Sequence, residues 1–306
     1  DLLTALNGIA DLADELPFRS VKGTTGTQAS FLALFEGDAA KVKKLERLVA
    51  DKMGFERILP VSGQTYPRSL DYRVLSALGL LATACHKMAG DIRLLAGLKE
   101  LEEPFGKKQI GSSAMAYKRN PMRSERMAAL SRFVLNNVQN AAFTAADQWL
   151  ERTLDDSAAR RLALAEGFLA ADSIAQLAAN VSNGLVVNRP VIERRLEAEV
   201  PFMATENILM AAVRAGGDRQ DLHERIRQHS IAAAERVKQG DGENDLLDRI
   251  AADPAFAAVR DGLRGIVDAR AFVGRAPEQV DEFLAQVVEP ALERFPAGEA
   301  EGRVRV

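Results

Sequence analysis

The stretch Ser69–Leu98, "SLDYRVLSALGLLATACHKMAGDIRLLAGL", decides the fold. Its apolar positions Leu70, Val74, Leu78, Leu81, Cys85, Met88, Ile92 and Leu95 recur at intervals of three or four residues. A strand would place them at every second position, so the spacing predicts one long helix with a continuous apolar stripe, the kind that packs lengthwise in a bundle. A helix of that length needs partners of similar length. Downstream, "NP" at Asn120–Pro121 offers an N-cap and a first helical residue, followed by a stripe of Met127, Leu130, Val134, Val138, Ala141, Ala145 and Trp149. A third helix is expected after "DDS" at Asp155–Ser157, three capping side chains, with Leu162, Ala165 and Leu169 on its apolar face and Asn183–Gly184 as its stop.

Strand signals are scarce, and only "GLVVN", Gly184–Asn188, reads as extended. Beyond Pro190 the helical segments shorten and are punctuated by Pro201, Gly216–Gly217, Gly240, Pro254, Gly274 and Pro277. The chain is therefore read as all-α: a long-helix bundle domain over residues 1–187 and a smaller C-terminal helical domain over residues 188–306.

The 306 residues are 47% hydrophobic and 27% charged, with a formal net charge of −3, which is ordinary for a globular protein and gives no overall basic field for nucleic acid. Anion binding must then come from local clusters. The single cysteine, Cys85, excludes an internal disulfide framework and fits a reducing compartment, with the cytoplasm as the expected location. The most apolar run, Val74–Cys85, is short of the roughly 20 residues that span a bilayer, so no membrane association is expected. The chain opens on Asp1 within "DLLTALNGIADLADEL", a helix already under way, and is expected to be part of a longer protein.

Two clusters could bind anions. Residues 107–126 hold Lys107, Lys108, Lys118, Arg119, Arg123 and Arg126 against one acid, Glu125, just where a helix N-terminus is expected. In "ERTLDDSAARR", Arg152 precedes a turn, Ser157 opens a helix and Arg161 lies one turn further on the same face, a plausible phosphate seat. Each also fits a plainer description, a solvated loop in the first case and surface arginines paired with Asp155 and Asp156 in the second. "KGTTGTQ" (Lys22–Gln28) and "SGQTYPR" (Ser62–Arg68) are polar loops leading into helices, and the first lacks the terminal Gly-Lys-Ser/Thr of a nucleoside triphosphate loop. His86, His223 and His229 have no zinc spacing, and no metal site is expected.

"GSSAMAYKRNPMRSER", Gly111–Arg126, resembles the signature loop of the fumarase/aspartase superfamily, Gly-Ser-Ser-x-Met-Pro-x-Lys-x-Asn-Pro, and its continuation resembles the adenylosuccinate lyase family. "KGTTGTQASFLALFEGD", "ERTLDDSAARR", "PFMATENILM" and "GRAPEQV" resemble segments of that family in the same order, from about Phe18 to Pro290. The resemblance implies a mostly helical homotetramer whose active sites each draw loops from three subunits. It implies elimination of fumarate from adenylosuccinate, giving AMP, and from the succinylated imidazole carboxamide ribotide, without metal or organic cofactor.

Such a substrate carries a phosphate and two carboxylates, which would explain local cationic clusters in a slightly acidic chain. Taking a proton from the carbon next to a carboxylate builds negative charge there, so fixed cations and N–H donors are required, while the leaving nitrogen gains a proton. By resemblance Ser112 is the general base, with Ser113 its less favoured neighbour, and Lys118 steadies both the serine alkoxide and the carbanion. Glu125 orients Lys118 or the loop. Arg126, Arg152, Ser157, Arg161 and Gln64 bind substrate. The sequence departs from the family at Ala116, where the loop has proline, and the family's general-acid histidine lies in segments that precede the start of this chain.

Two other readings remain. Another fumarate-releasing lyase, such as argininosuccinate lyase, shares the Gly-Ser-Ser loop, but its substrate has no phosphate to occupy the Arg152/Ser157/Arg161 seat. A non-catalytic oligomerising fragment is the other.

Overall fold

The structure, a computed structural model, describes residues 1–106, 114, 115 and 117–295. Ser112, Ser113 and Ala116 lie outside the described residues. The chain forms two compact units, Asp1–Val186 and Val187–Pro296.

The first unit is helical. α1 (Leu2–Glu15), α2 (Ala29–Leu34) and α3 (Ala39–Lys52) precede three long helices, α4 (Ser69–Gly97), α5 (Met122–Ala146) and α6 (Asp156–Asn183). The long helices pack against one another, and α1 lies along α4. Two short strands, β1 (Leu101–Glu102) and β2 (Val186–Val187), pair with each other. The α4 stripe faces inward as its spacing requires: Leu78, Cys85 and Ile92 are buried, and Leu81 and Met88 pack against the core formed with Met127, Val134, Ile174 and Leu177. Burial pushes the Cys85 thiol up, so it stays protonated and inert in the core.

The apolar face of α6 is not the one its large residues mark. Leu162 and Leu169 are 68% and 65% exposed, whereas Ala163, Gly167, Ala170, Ala171, Ile174, Leu177, Ala178 and Val181 are buried. Small residues win the inner face because the helix backbones approach closely there: a Cβ on Gly167 would stand 2.7 Å from Leu75 Cδ2 and 3.2 Å from Asn137 Nδ2. α6 is apolar and long enough by composition and length to cross a bilayer. Here its apolar residues divide between the face packed on α4 and α5 and the outward row of Leu162, Phe168 and Leu169.

Both helix starts also depart from expectation. α5 begins at Met122, one residue after Pro121, and Asn120 does not cap it. The carboxylate of Glu103 does so instead, accepting from the amides of Arg123 and Ser124 at 2.9 and 3.0 Å. α5 ends at Ala146, so Trp149 falls in the turn beyond it and is exposed. At the start of α6, Asp155 makes no side-chain cap, and the Asp156 carboxylate is drawn to two arginines. α6 ends at Asn183, and the residue after it, Gly184, has no room for a side chain: a Cβ there would stand 2.4 Å from Pro104 Cβ.

The second unit consists of α7 (Arg189–Met203), α8 (Thr205–Arg214), α9 (Arg219–Gln239), α10 (Leu246–Ala252) and shorter turns around a core that includes Ile208, Leu222, Ile226, Leu246, Ile250 and Phe256. Asp218 caps α9, accepting from the amides of Gln220 and Asp221, and Gly240 ends it with φ +76°.

Candidate active site

The candidate residues fall at the two ends of the long-helix bundle. α5 joins those ends, and its 25 residues span about 37 Å at 1.5 Å per residue.

At the end where α4 finishes and α5 starts, a cleft of about 410 Å³ is lined by Lys99, Glu102, Phe105, Tyr117, Lys118 and Asn120, among others. Lys118 is exposed, and its amide donates to the Met115 carbonyl at 3.0 Å. Arg119 does not face an empty site: it pairs with Glu102 at 2.8 Å and stands over the Phe105 ring at 5.2 Å. Glu125 and Arg126 are exposed in the first turn of α5. No hydrogen bond or ion pair joins Glu125 to Lys118 among the described residues. The α5 N-terminus is not open to an anionic ligand as the sequence implied, because Glu103 already uses the Arg123 and Ser124 amides and the Ser124 hydroxyl. A buried internal carboxylate has taken the positive end of the helix dipole.

At the opposite end three polar loops converge. Arg19 Nη2 donates to both the Gly23 and Gly63 carbonyls at 2.8 Å, tying "KGTTGTQ" to "SGQTYPR". Gly26, at φ +81°, lies directly against the Ser62 carbonyl, an approach only glycine permits. Lys22 is buried and paired with Glu46, so it serves the fold and not a ligand. The third loop, Gln148–Asp155, lies alongside: Thr65, Tyr66 and Arg68 share a cleft of about 370 Å³ with Gln148, Leu150 and Glu151.

This end places Gln64, Arg152, Ser157 and Arg161 on adjoining elements. Gln64 and Arg161 are exposed, while Arg152 and Ser157 are half-buried. Arg152 donates to Asp156 Oδ1 through Nε at 3.1 Å and Nη2 at 3.0 Å. Asp156 Oδ2 accepts from Arg68 Nε at 2.5 Å. Burial alone would raise the Asp156 carboxyl, but the hydrogen bonds from Arg152 and Arg68 outweigh it and hold the group below the usual carboxylate range. Beside it, Asp71 accepts from Tyr66 Oη at 2.7 Å and from Arg160 Nε at 2.8 Å, and Arg160 also bonds the Tyr66 hydroxyl. Burial, then the bond to Asp71, pushes the Tyr66 phenol up, so it remains a donor.

The sequence singles out Arg152, Ser157 and Arg161, and its plainer description, arginines paired with Asp156, holds for Arg152; it does not single out Arg68, Tyr66, Asp71 or Arg160. Arg68 and Asp156 are 88 residues apart and Asp71 and Arg160 are 89, so no local spacing could pair them. The histidines join neither cluster: His86 lies on α4, His223 is exposed on α9, and His229 Nε2 bonds Asp253 at 2.9 Å. Among the described residues no group of three or more His, Cys, Asp or Glu could hold a metal ion.

The long-helix bundle has counterparts among solved structures. One is a fumarate lyase from Mesorhizobium sp. BNC1, with a TM-score of 0.72 and 20% identity over 92% of this chain and 61% of that one. A 3-carboxy-cis,cis-muconate lactonizing enzyme from Pseudomonas putida gives a TM-score of 0.75 at 20% identity, over 96% of this chain and 61% of that one. At such identities the likeness establishes the fold.

Sequence narrows it. Residues 28–135 match the family model described as Lyase, and residues 201–283 match that of the adenylosuccinate lyase C-terminus. The adenylosuccinate lyase of Schizosaccharomyces pombe is 51% identical over 99% of this chain and 63% of its own length. That of Saccharomyces cerevisiae is 52% identical over 96% of this chain and 61% of its own length. The one from Schistosoma mansoni is 45% identical over 96% and 62%. Over nearly its whole length the chain is similar to adenylosuccinate lyases, and it spans 61–63% of the length of these three relatives. The alternative of an argininosuccinate lyase is not favoured by these relatives.

Proposed function

We propose that the chain is the central and C-terminal body of an adenylosuccinate lyase, which eliminates fumarate from adenylosuccinate to give AMP and from the succinylated imidazole carboxamide ribotide in the same way. A base removes the proton on the carbon next to one succinyl carboxylate. The C–N bond breaks as the C=C bond of fumarate forms, and the purine amino nitrogen takes a proton. Ser112 is the base in this reading. Lys118, in its cleft, offsets the charge that develops on the carboxylate. Arg152, Ser157 and Arg161 hold the phosphate, and Gln64 the succinyl group or the base.

The observation that carries the reading is the division of these residues between bundle ends about 37 Å apart, a distance no nucleotide bridges. Each active site must therefore combine one end of one copy with the other end of another. The outward apolar row on α6, with Phe133 and Phe143 exposed on α5, supplies the surface through which copies would associate. A homotetramer, the assembly implied by the superfamily resemblance, brings both ends of neighbouring long helices together. The buried Cys85 thiol suits a reducing, cytoplasmic setting.

The test is turnover of adenylosuccinate by a chain extended to the length of its relatives, followed by fumarate release. Ser112→Ala should abolish turnover while leaving AMP binding intact. Retained turnover would exclude Ser112 as the base.

A further inference from the structure

Five charged side chains and one tyrosine form a continuous network under the candidate phosphate seat. Arg68 and Asp156 have side chains 4% and 0% exposed, and their ion pair joins the start of α4 to the start of α6. Asp156 uses its other oxygen to grip Arg152 through two donors, Nε and Nη2. The Tyr66 ring is flanked by the Arg68 guanidinium at 4.7 Å and the Arg160 guanidinium at 5.3 Å, and Asp71 binds both Tyr66 and Arg160. Three arginines against two aspartates leave one positive charge in excess.

Burying such a set costs desolvation that apolar packing would avoid, so joining two helix ends does not by itself require it. What it does supply is a guanidinium held in one orientation. Arg152 has two of its three nitrogens fixed by Asp156, is the cation of the Asp156 trio with the larger exposure at 20%, and makes no other hydrogen bond among the described residues. The remaining nitrogen, Nη1, is free to donate to an anion. Gln64 sits two residues before Tyr66 and Ser157 follows Asp156, so the same network ties the other candidate binding residues to one frame.

We propose that Asp156, itself braced by Arg68, is a positioning residue that orients Arg152 toward the phosphate of the nucleotide substrate. Asp156 does not touch substrate. It fixes the fork that does, and the network's surplus positive charge is matched only when the phosphate binds. The proposal rests on the lyase reading above and assigns a role within it.

The experiment measures KM and kcat for adenylosuccinate, with thermal stability, in the full-length enzyme carrying Asp156→Asn, Arg152→Ala and both together. Asp156→Asn keeps shape and one acceptor but loses the charge, and should raise KM on the order of tenfold with a smaller change in kcat. In the Arg152→Ala background it should add less than about twofold, because the group it positions is gone. Multiplying effects, or an unchanged KM for Asp156→Asn, would overturn the proposal. If Asp156→Asn does not assemble, Asp156→Glu decides the matter: it keeps the charge, moves the fork by one methylene, and must raise KM at near-normal stability, whereas a wild-type KM overturns the proposal. An unchanged KM for Arg152→Ala would likewise overturn the proposal, whereas a wild-type enzyme that does not cleave adenylosuccinate would overturn the lyase reading on which it rests.

Discussion

Glu103 closes the N-terminus of α5 through Ser124, whose amide and hydroxyl donate to Oε2 at 3.0 and 3.1 Å across 21 residues of sequence. Because Glu103 also takes the Arg123 amide and is buried, it fixes where α5 starts and so where the chain carrying Lys118 must rejoin the bundle. Removing it leaves two amides and a hydroxyl without an acceptor in a buried site. Glu103→Ala should lower the stability of the protein by about 3 kcal/mol, the scale of lost charge-assisted bonds and uncompensated donors. Glu103→Gln, which keeps an acceptor, should lose about half of that. Urea unfolding at fixed protein concentration measures both, and a Glu103→Ala loss below about 0.5 kcal/mol, the range of a surface change, would be against it.

Gly167 sets the spacing of the long helices. In an exposed helix, alanine would gain about 1 kcal/mol over glycine. Here its Cβ would meet Leu75 Cδ2 at 2.7 Å and Asn137 Nδ2 at 3.2 Å, so overpacking outweighs propensity. Gly167→Ala should destabilise by about 1–3 kcal/mol, read from thermal or urea unfolding. A stabilised variant would show that α6 can shift away from α4 without loss.

Acid should weaken the second unit through Asp253. Burial alone would raise this carboxyl, but hydrogen bonds from His229 and the Ala255 amide, with the Arg225 charge, hold it below the ordinary carboxylate range. A depressed folded-state value contributes stability that is present above the unfolded value, near 3.9, and is lost as pH falls through the folded one. Asp253→Asn should therefore be less stable than wild type at pH 7, and the gap should narrow steadily below about pH 4. A gap constant from pH 7 to 3 would remove Asp253 as its source.

The all-α class and the inward stripe of α4 were legible because both are local: a spacing of three and four names a helix and its face without reference to any other part of the chain. The α6 face was not. Its large residues Leu162 and Leu169 carry the apolar signal, but the inner surface is chosen by Gly167 and the alanines, whose value lies in how closely Leu75 can approach. The candidate binding residues Arg152, Ser157 and Arg161 stood out as a cluster at a helix start. Their support from Arg68 and Asp71 did not, because it depends on α4 beginning where α6 begins. The Glu103 cap was hidden for the same reason, and Asn120 and Pro121, a sound local cap signal, lost to it.

The most direct test of a site assembled from opposite bundle ends is complementation between two inactive variants of the full-length chain. Lys118→Ala damages one end and Arg152→Ala the other, so each homo-oligomer should have little activity. After co-refolding, sites that draw Lys118 from one chain and Arg152 from another should regain about a quarter of wild-type activity, the share expected from random pairing in a symmetric tetramer. Recovery near that level is the predicted result; no recovery from mixed oligomers, shown to contain both chains, would mean that each site is built within a single copy.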